Sequence, residues 1–150
     1  MSSPLEEIAN FRLVDDRLIT AGQPTEDQLR AVADAGFEVV INLAPQEDPR
    51  SLADEAGLAR SLGMAYINIP VPFAAPTRGQ LDEFFEAMDA NPGKRLLVHC
   101  LANKRVTAFL GLYWARGGQP LESAFALMRG VWTPNEVWAK FIDEHLKLGP

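Results

Sequence analysis

Apolar and polar positions follow two periods along this chain, and the switch between them marks its elements. Residues 11–20 (FRLVDDRLIT) hold two short apolar stretches around Asp15-Asp16, which predicts a small hairpin or extended arm. Ala21-Gly22-Gln23-Pro24 then breaks the chain. Thr25 opens a helix: Thr25 with Gln28 makes a capping box, and Leu29, Val32 and Ala33 form an apolar stripe. Gly36 is placed to end it. Residues 37–44 (FEVVINLA) are a near-continuous apolar run, the pattern of a strand covered on both faces.

The same unit recurs in kind. Residues 51–62 predict a second helix stopped by Gly63, and residues 64–71 (MAYINIPV) a second strand. Pro70, Pro72 and Pro76 impose an irregular loop. Thr77 opens a third helix, with Leu81, Phe84, Phe85 and Met88 at i, i+3, i+4 and i+7. Asn91-Pro92-Gly93 ends it, and residues 95–100 (RLLVHC) read as a third strand. This alternation predicts an α/β fold with a mainly parallel central sheet flanked by helices. Beyond Cys100 the pattern is helical, with stripes at Val106, Phe109, Leu110 and Tyr113, then Leu121, Ala124, Phe125 and Met128. A last helix follows Thr133, with Pro134 at its first position and Glu136 closing a capping box. Trp132 and Trp138 are expected in the core and His145 at the surface.

Composition narrows the function classes. A chain of 150 residues with 47% apolar and 23% charged residues predicts one globular domain spanning residues 1–150. Fourteen basic against 20 acidic residues give a net charge of −6, which argues against sequence-independent binding to nucleic acid or anionic membrane. The N-terminal residues lack a basic, apolar leader, and no apolar run approaches the length of a membrane span. A single cysteine excludes an internal disulfide and a cysteine-rich metal site, so a cytoplasmic location without metal or cofactor is expected. That one thiol is either a small buried hydrophobe or a reactive group.

The surroundings of Cys100 favour reactivity. It ends the most apolar predicted strand, and a short loop carries it into an amphipathic helix. Ligands of α/β sheets gather at such strand ends. A helix N-terminus presents free N–H groups and partial positive charge, which attract anions and stabilise a thiolate. Lys104 and Arg105 add basic charge at that point in an acidic chain.

His99-Cys100-Leu101-Ala102-Asn103-Lys104-Arg105-Val106-Thr107 resembles the signature His-Cys-x5-Arg-Ser/Thr of cysteine-dependent protein tyrosine and dual-specificity phosphatases. Val14-Asp15-Asp16, Ala21-Gly22-Gln23-Pro24, Val40-Ile41-Asn42-Leu43, Ile69-Pro70-Val71 and Trp132-Thr133-Pro134-Asn135 extend the likeness over most of the chain. They are similar to bacterial tyrosine-phosphatase-like proteins related to the phosphatase-like domain of beta-lactamase-hydrolase-like proteins. The resemblance implies a cysteine-phosphatase fold and the hydrolysis of a phosphate monoester, free or on a phosphoprotein, with phosphotyrosine or aryl phosphate favoured. It makes Cys100 the nucleophile that becomes phosphocysteine. The backbone N–H groups of Leu101, Ala102, Asn103, Lys104 and Arg105 would hold the phosphate oxygens, and Arg105 would supply charge. His99 would brace the loop, and Thr107 would hydrogen-bond the departing thiolate.

Two departures stand out. Arg105 lies five residues after Cys100 where the signature has six, and Val106 takes the usual arginine place. One residue is about 100° around a helix, so the guanidinium is re-aimed. Asn103 stands at the usual glycine position and, of the non-glycine residues, best tolerates the left-handed turn needed there. The loop after Ile69-Pro70-Val71 reads Pro72-Phe73-Ala74-Ala75-Pro76, without the acid such enzymes carry there. Glu47 and Asp48, at the end of the first long strand, are the candidate substitutes for that acid. Arg50 and Arg78 are candidate substrate contacts or ordinary surface residues. Two further readings stay open at this stage: a phosphate-binding pseudophosphatase or interaction domain, and a rhodanese-like sulfurtransferase, whose cysteine also sits between a strand and a helix.

Overall fold

The computed structural model describes residues 4–147. A 3₁₀ turn at Pro4–Glu7 precedes a short hairpin of β1 (Arg12–Leu13) and β2 (Leu18–Ala21), which turns on Asp15: its carboxylate accepts from the amides of Arg17 and Leu18. The chain then alternates α1 (Glu26–Asp34), β3 (Val39–Asn42), α2 (Glu55–Ser61), β4 (Ala65–Asn68), α3 (Arg78–Asp89) and β5 (Leu96–His99). It ends in α4 (Lys104–Arg116), α5 (Leu121–Ala124) and α6 (Glu136–Lys147). The sheet order is β1-β2-β5-β3-β4, antiparallel only between β1 and β2. The expected α/β architecture with a mainly parallel sheet is therefore present.

Local chemistry accounts for most boundaries. Both threonine capping boxes form, Thr25 with Gln28 and Thr77 with Gln80, each closed by reciprocal side chain and backbone bonds. Gly36 takes φ of +93° just beyond α1, a conformation that side chains resist. Every residue of β2, β3 and β5 is buried, because helices cover both faces. One apolar cluster joins β3 and β5 to α3, α4 and α6 through Ile41, Val98, Phe84, Phe109 and Trp138. The other joins the sheet to α1 and α2 through Val40, Leu97, Leu29, Val32 and Ala59.

Two helix starts differ from the sequence reading. α2 begins at Glu55 rather than residue 51, because Asp54 caps it by accepting from the Gly57 amide. α6 begins at Glu136, because the Asn135 side chain accepts from the Trp138 amide; Thr133 and Pro134 lie before the helix. His145 is half-buried rather than at the surface, its ring 4.0 Å from that of Phe141 and its Nδ1 on the Phe141 carbonyl at 2.7 Å. Trp138 is fully buried as expected, whereas Trp132 is only half-buried against the core.

Candidate active site

β5 lies between β2 and β3, and its C-terminal end delivers Cys100 to the edge of the sheet. Cys100 is fully buried, and its amide donates to the Ala21 carbonyl at 3.2 Å. The next carbonyls all turn to the scaffold. That of Cys100 meets His99 Nδ1 at 3.0 Å, that of Leu101 accepts from the Gln23 amide at 3.1 Å, and that of Ala102 accepts from Asn10 Nδ2 at 2.9 Å. Gly22 makes this approach feasible, since a Cβ there would lie 2.4 Å from the Leu101 oxygen. The Ala21-Gly22-Gln23-Pro24 turn is thus the floor on which the Cys100 loop rests.

Asn103 turns the loop into α4 with φ of 62°, the left-handed conformation expected of it. Its Nδ2 donates to the Asn10 carbonyl at 2.9 Å and to Thr20 Oγ1 at 3.0 Å, so the side chain braces the loop and leaves the helix uncapped. Among the described residues, the amides of Leu101, Ala102, Lys104 and Arg105 have no acceptor. They stand beside Cys100 at the positive end of a 13-residue helix, the arrangement that holds an oxyanion.

The basic residues take separate paths. Arg105 is 6% exposed, donates from Nη1 to the Val71 carbonyl at 2.7 Å, and sits 5.6 Å from the Phe73 ring centroid. Its Nε has no partner, and Val106, at the usual arginine place, is fully buried. The displacement by one residue has therefore aimed the guanidinium at the loop of residues 69–77. Lys104 Nζ lies 5.9 Å from the ring centroids of both Phe73 and Trp132. Thr107 does not face the thiol with its hydroxyl proton as the resemblance implies: Oγ1 donates to the Lys104 carbonyl at 2.8 Å and accepts from Trp132 Nε1 at 3.0 Å. The loop of residues 69–77 is further tied by Trp138 Nε1, which donates to the Phe73 carbonyl at 2.7 Å.

Of the two candidate acids, Asp48 departs from expectation. Asp48 binds Arg50 through both oxygens, at 3.0 Å to Nε and 2.9 Å to Nη2. The Arg50 side chain and amide hold its pKa at about 2, so Asp48 is ionised near neutrality and has no proton to give. Glu47 is exposed in the same loop. Arg50 and Leu101 border one open depression, while Arg78 pairs with Asp82 at 2.9 Å and borders a different groove, between α3, α4 and α6. Among the described residues, no group of three or more His, Cys, Asp or Glu could hold a metal ion, and no helix is long and apolar enough to cross a membrane.

Glu55 is the site residue the sequence reading missed. It is buried, and its Oε2 lies 2.5 Å from His99 Nε2 while its Oε1 accepts from Gln23 Nε2 at 2.8 Å. Burial opposes its ionisation, but the His99 hydrogen bond and charge, with the Gln23 amide, outweigh it and hold the carboxyl below its ordinary range. The signal was its position: with Leu52, Ala59 and Leu62 it occupies the inner stripe of the predicted second helix, where a carboxylate needs a partner.

A parallel sheet that sets a cysteine loop on a bare helix N-terminus is the architecture of the tyrosine-phosphatase-like enzymes. Residues 17–119 match the family described as "Polymorphic toxin system, DSP-PTPase phosphatase", and the chain belongs to that family. A candidate phosphatase of the DUF442 group from Shewanella putrefaciens CN-32 is 32% identical, with a TM-score of 0.86 over 98% of both chains. The active form of Tk-PTP shares the fold, with a TM-score of 0.74 over 92% of this chain and 97% of that one at 24% identity. The beta-lactamase hydrolase-like protein of Xylella fastidiosa (strain 9a5c) is 33% identical over 107 residues, which are 68% of this chain and 25% of that protein. The chain thus spans about a quarter of the length of the curated relatives it matches.

Proposed function

We propose that this phosphatase-family chain hydrolyses phosphate monoesters through Cys100, with aryl phosphates, including phosphotyrosine on a protein, as the favoured substrates. The observation that carries the reading is the row of unpartnered amides directly after the cysteine. Those N–H groups bind the phosphoryl oxygens as their charge grows in the transition state. The Cys100 thiolate attacks phosphorus, the P–O bond to the leaving group breaks, and the phosphoryl group rests on sulfur. Water then attacks phosphorus, and the S–P bond breaks to return the thiolate and release phosphate. Arg105 adds positive charge by exchanging the Val71 carbonyl for a phosphate oxygen.

The absence of a carboxyl group in residues 72–76 and the ionised state of Asp48 bear on the leaving group. A phenolate leaves without a proton far more readily than an alkoxide, which is why aryl esters are favoured. Turnover of para-nitrophenyl phosphate is expected, with inhibition by vanadate. Cys100→Ser is expected to lower the rate by about 10³-fold or more, as removal of a nucleophile does. A wild type no faster than this variant would overturn the reading.

A second reading is a phosphate-binding domain without turnover. It is favoured by one observation, the commitment of Arg105 to Val71 with Val106 buried in the usual arginine place. Calorimetry would then detect phosphate or a phosphopeptide binding to wild type while para-nitrophenyl phosphate stays intact.

A further inference from the structure

The buried pair behind the cysteine has a proton count that few arrangements satisfy. His99 is fully buried, and both ring nitrogens face acceptors: Nδ1 the Cys100 carbonyl at 3.0 Å and Nε2 a Glu55 oxygen at 2.5 Å. A carbonyl only accepts, and so does a carboxylate, yet a neutral imidazole has a single N–H. Either the ring carries both protons, or Glu55 carries the missing one. Two features favour the ionised carboxylate. Gln23 Nε2 donates to its other oxygen, and Glu55 is the first residue of α2, where the helix end is positive. The other titratable groups beside the pair are Tyr66 of β4 and the Cys100 thiol; the Tyr66 hydroxyl is itself engaged by Asn42 Nδ2 at 3.0 Å, and the exposed Arg60 of α2 acts on Tyr66. A buried ion pair is a poor way to gain stability, since well-packed apolar side chains of the same volume commonly do as well or better. Its value here lies in what it orients.

We infer that Glu55 is a positioning residue for the Cys100 loop: its carboxylate holds the His99 ring doubly protonated, so that Nδ1–H fixes the Cys100 carbonyl to the scaffold and a positive charge stands behind the sulfur. Gln23, Glu55 and His99 form one chain of hydrogen bonds from the turn after β2 through α2 to the Cys100 carbonyl. That chain holds the Cys100 carbonyl toward the scaffold, away from the following amides, which stay free for the phosphate. The kinetic part rests on the phosphatase reading; the protonation of the ring does not.

The test has two arms. In ¹⁵N-labelled protein near neutrality, both ring nitrogens of His99 are expected to carry protons; His145→Gln assigns the signals, since these are the chain's two histidines. An unprotonated ring nitrogen on His99 would overturn the inference. In the second arm Glu55→Gln, with its fold checked by circular dichroism, is expected to lose the doubly protonated signal. Its kcat for para-nitrophenyl phosphate should fall about tenfold or more, as loss of such supporting partners does, with KM nearly unchanged. The acidic limb of its kcat/KM profile should move to higher pH, and Glu55→Asp should recover part of the loss. A wild-type pH profile in Glu55→Gln would overturn the positioning role. If the wild type itself turns over no aryl phosphate, the phosphatase reading falls while the nitrogen signals still decide the state of the ring.

Discussion

At the scale of single residues, Asn103 carries more of the site than its charge-free side chain suggests. It combines a left-handed backbone with two hydrogen bonds that bind the loop to Asn10 and Thr20. The left-handed conformation costs an ordinary residue about 1–2 kcal/mol, and each lost neutral hydrogen bond about 1 kcal/mol. Asn103→Ala is therefore expected to destabilise the chain by about 3 kcal/mol, and Asn103→Gly by about 2 kcal/mol because glycine accepts the turn. Urea denaturation measures both; an alanine variant as stable as the glycine variant would contradict the strain argument. Arg105 shows the reverse case. Its identity and spacing were readable, but its partner was not, because the Val71 carbonyl lies 34 residues away in the chain.

At the scale of elements, the loop of residues 69–77 is held from three sides. Arg105 reaches the Val71 carbonyl, Trp138 the Phe73 carbonyl, and Gln80 Nε2 the Pro70 carbonyl at 3.1 Å. Trp138→Phe keeps an aromatic ring in the core but removes the indole donor. It is expected to cost about 1–3 kcal/mol, the worth of a bond whose acceptor is left buried, and to raise amide hydrogen exchange across residues 71–75. Unchanged exchange there would mean that Trp138 does not tie the loop. The same elements show what the sequence carried. The strands themselves and the two threonine caps were legible because each depends on neighbours within a few positions. The start of α6 was less so: Thr133 and Asn135 are both good caps, and the choice falls to packing of Trp138 in the core. Glu55 was illegible as a site residue because its partner is 44 residues distant, and helical periodicity alone marks it only as out of place.

At the scale of the molecule, a chain of net charge −6 gathers unpartnered backbone amides and the basic pair Lys104 and Arg105 at one end of α4, where the proposed phosphate would sit. The fold serves that point from both faces of the sheet. From one, α2 supplies Glu55 behind His99; from the other, α6 supplies Trp138, and the segment before it Trp132, to hold Phe73 and Thr107. All of this is arranged around one sulfur atom, so the central claim is that the sulfur takes the phosphoryl group. Rapid quenching of wild type during turnover of para-nitrophenyl phosphate, followed by mass spectrometry of the peptide containing Cys100, tests it most directly. A phosphate adduct on Cys100, absent from Cys100→Ser, is the predicted result; steady turnover with no adduct at any quench time, or with the adduct on another residue, would contradict it.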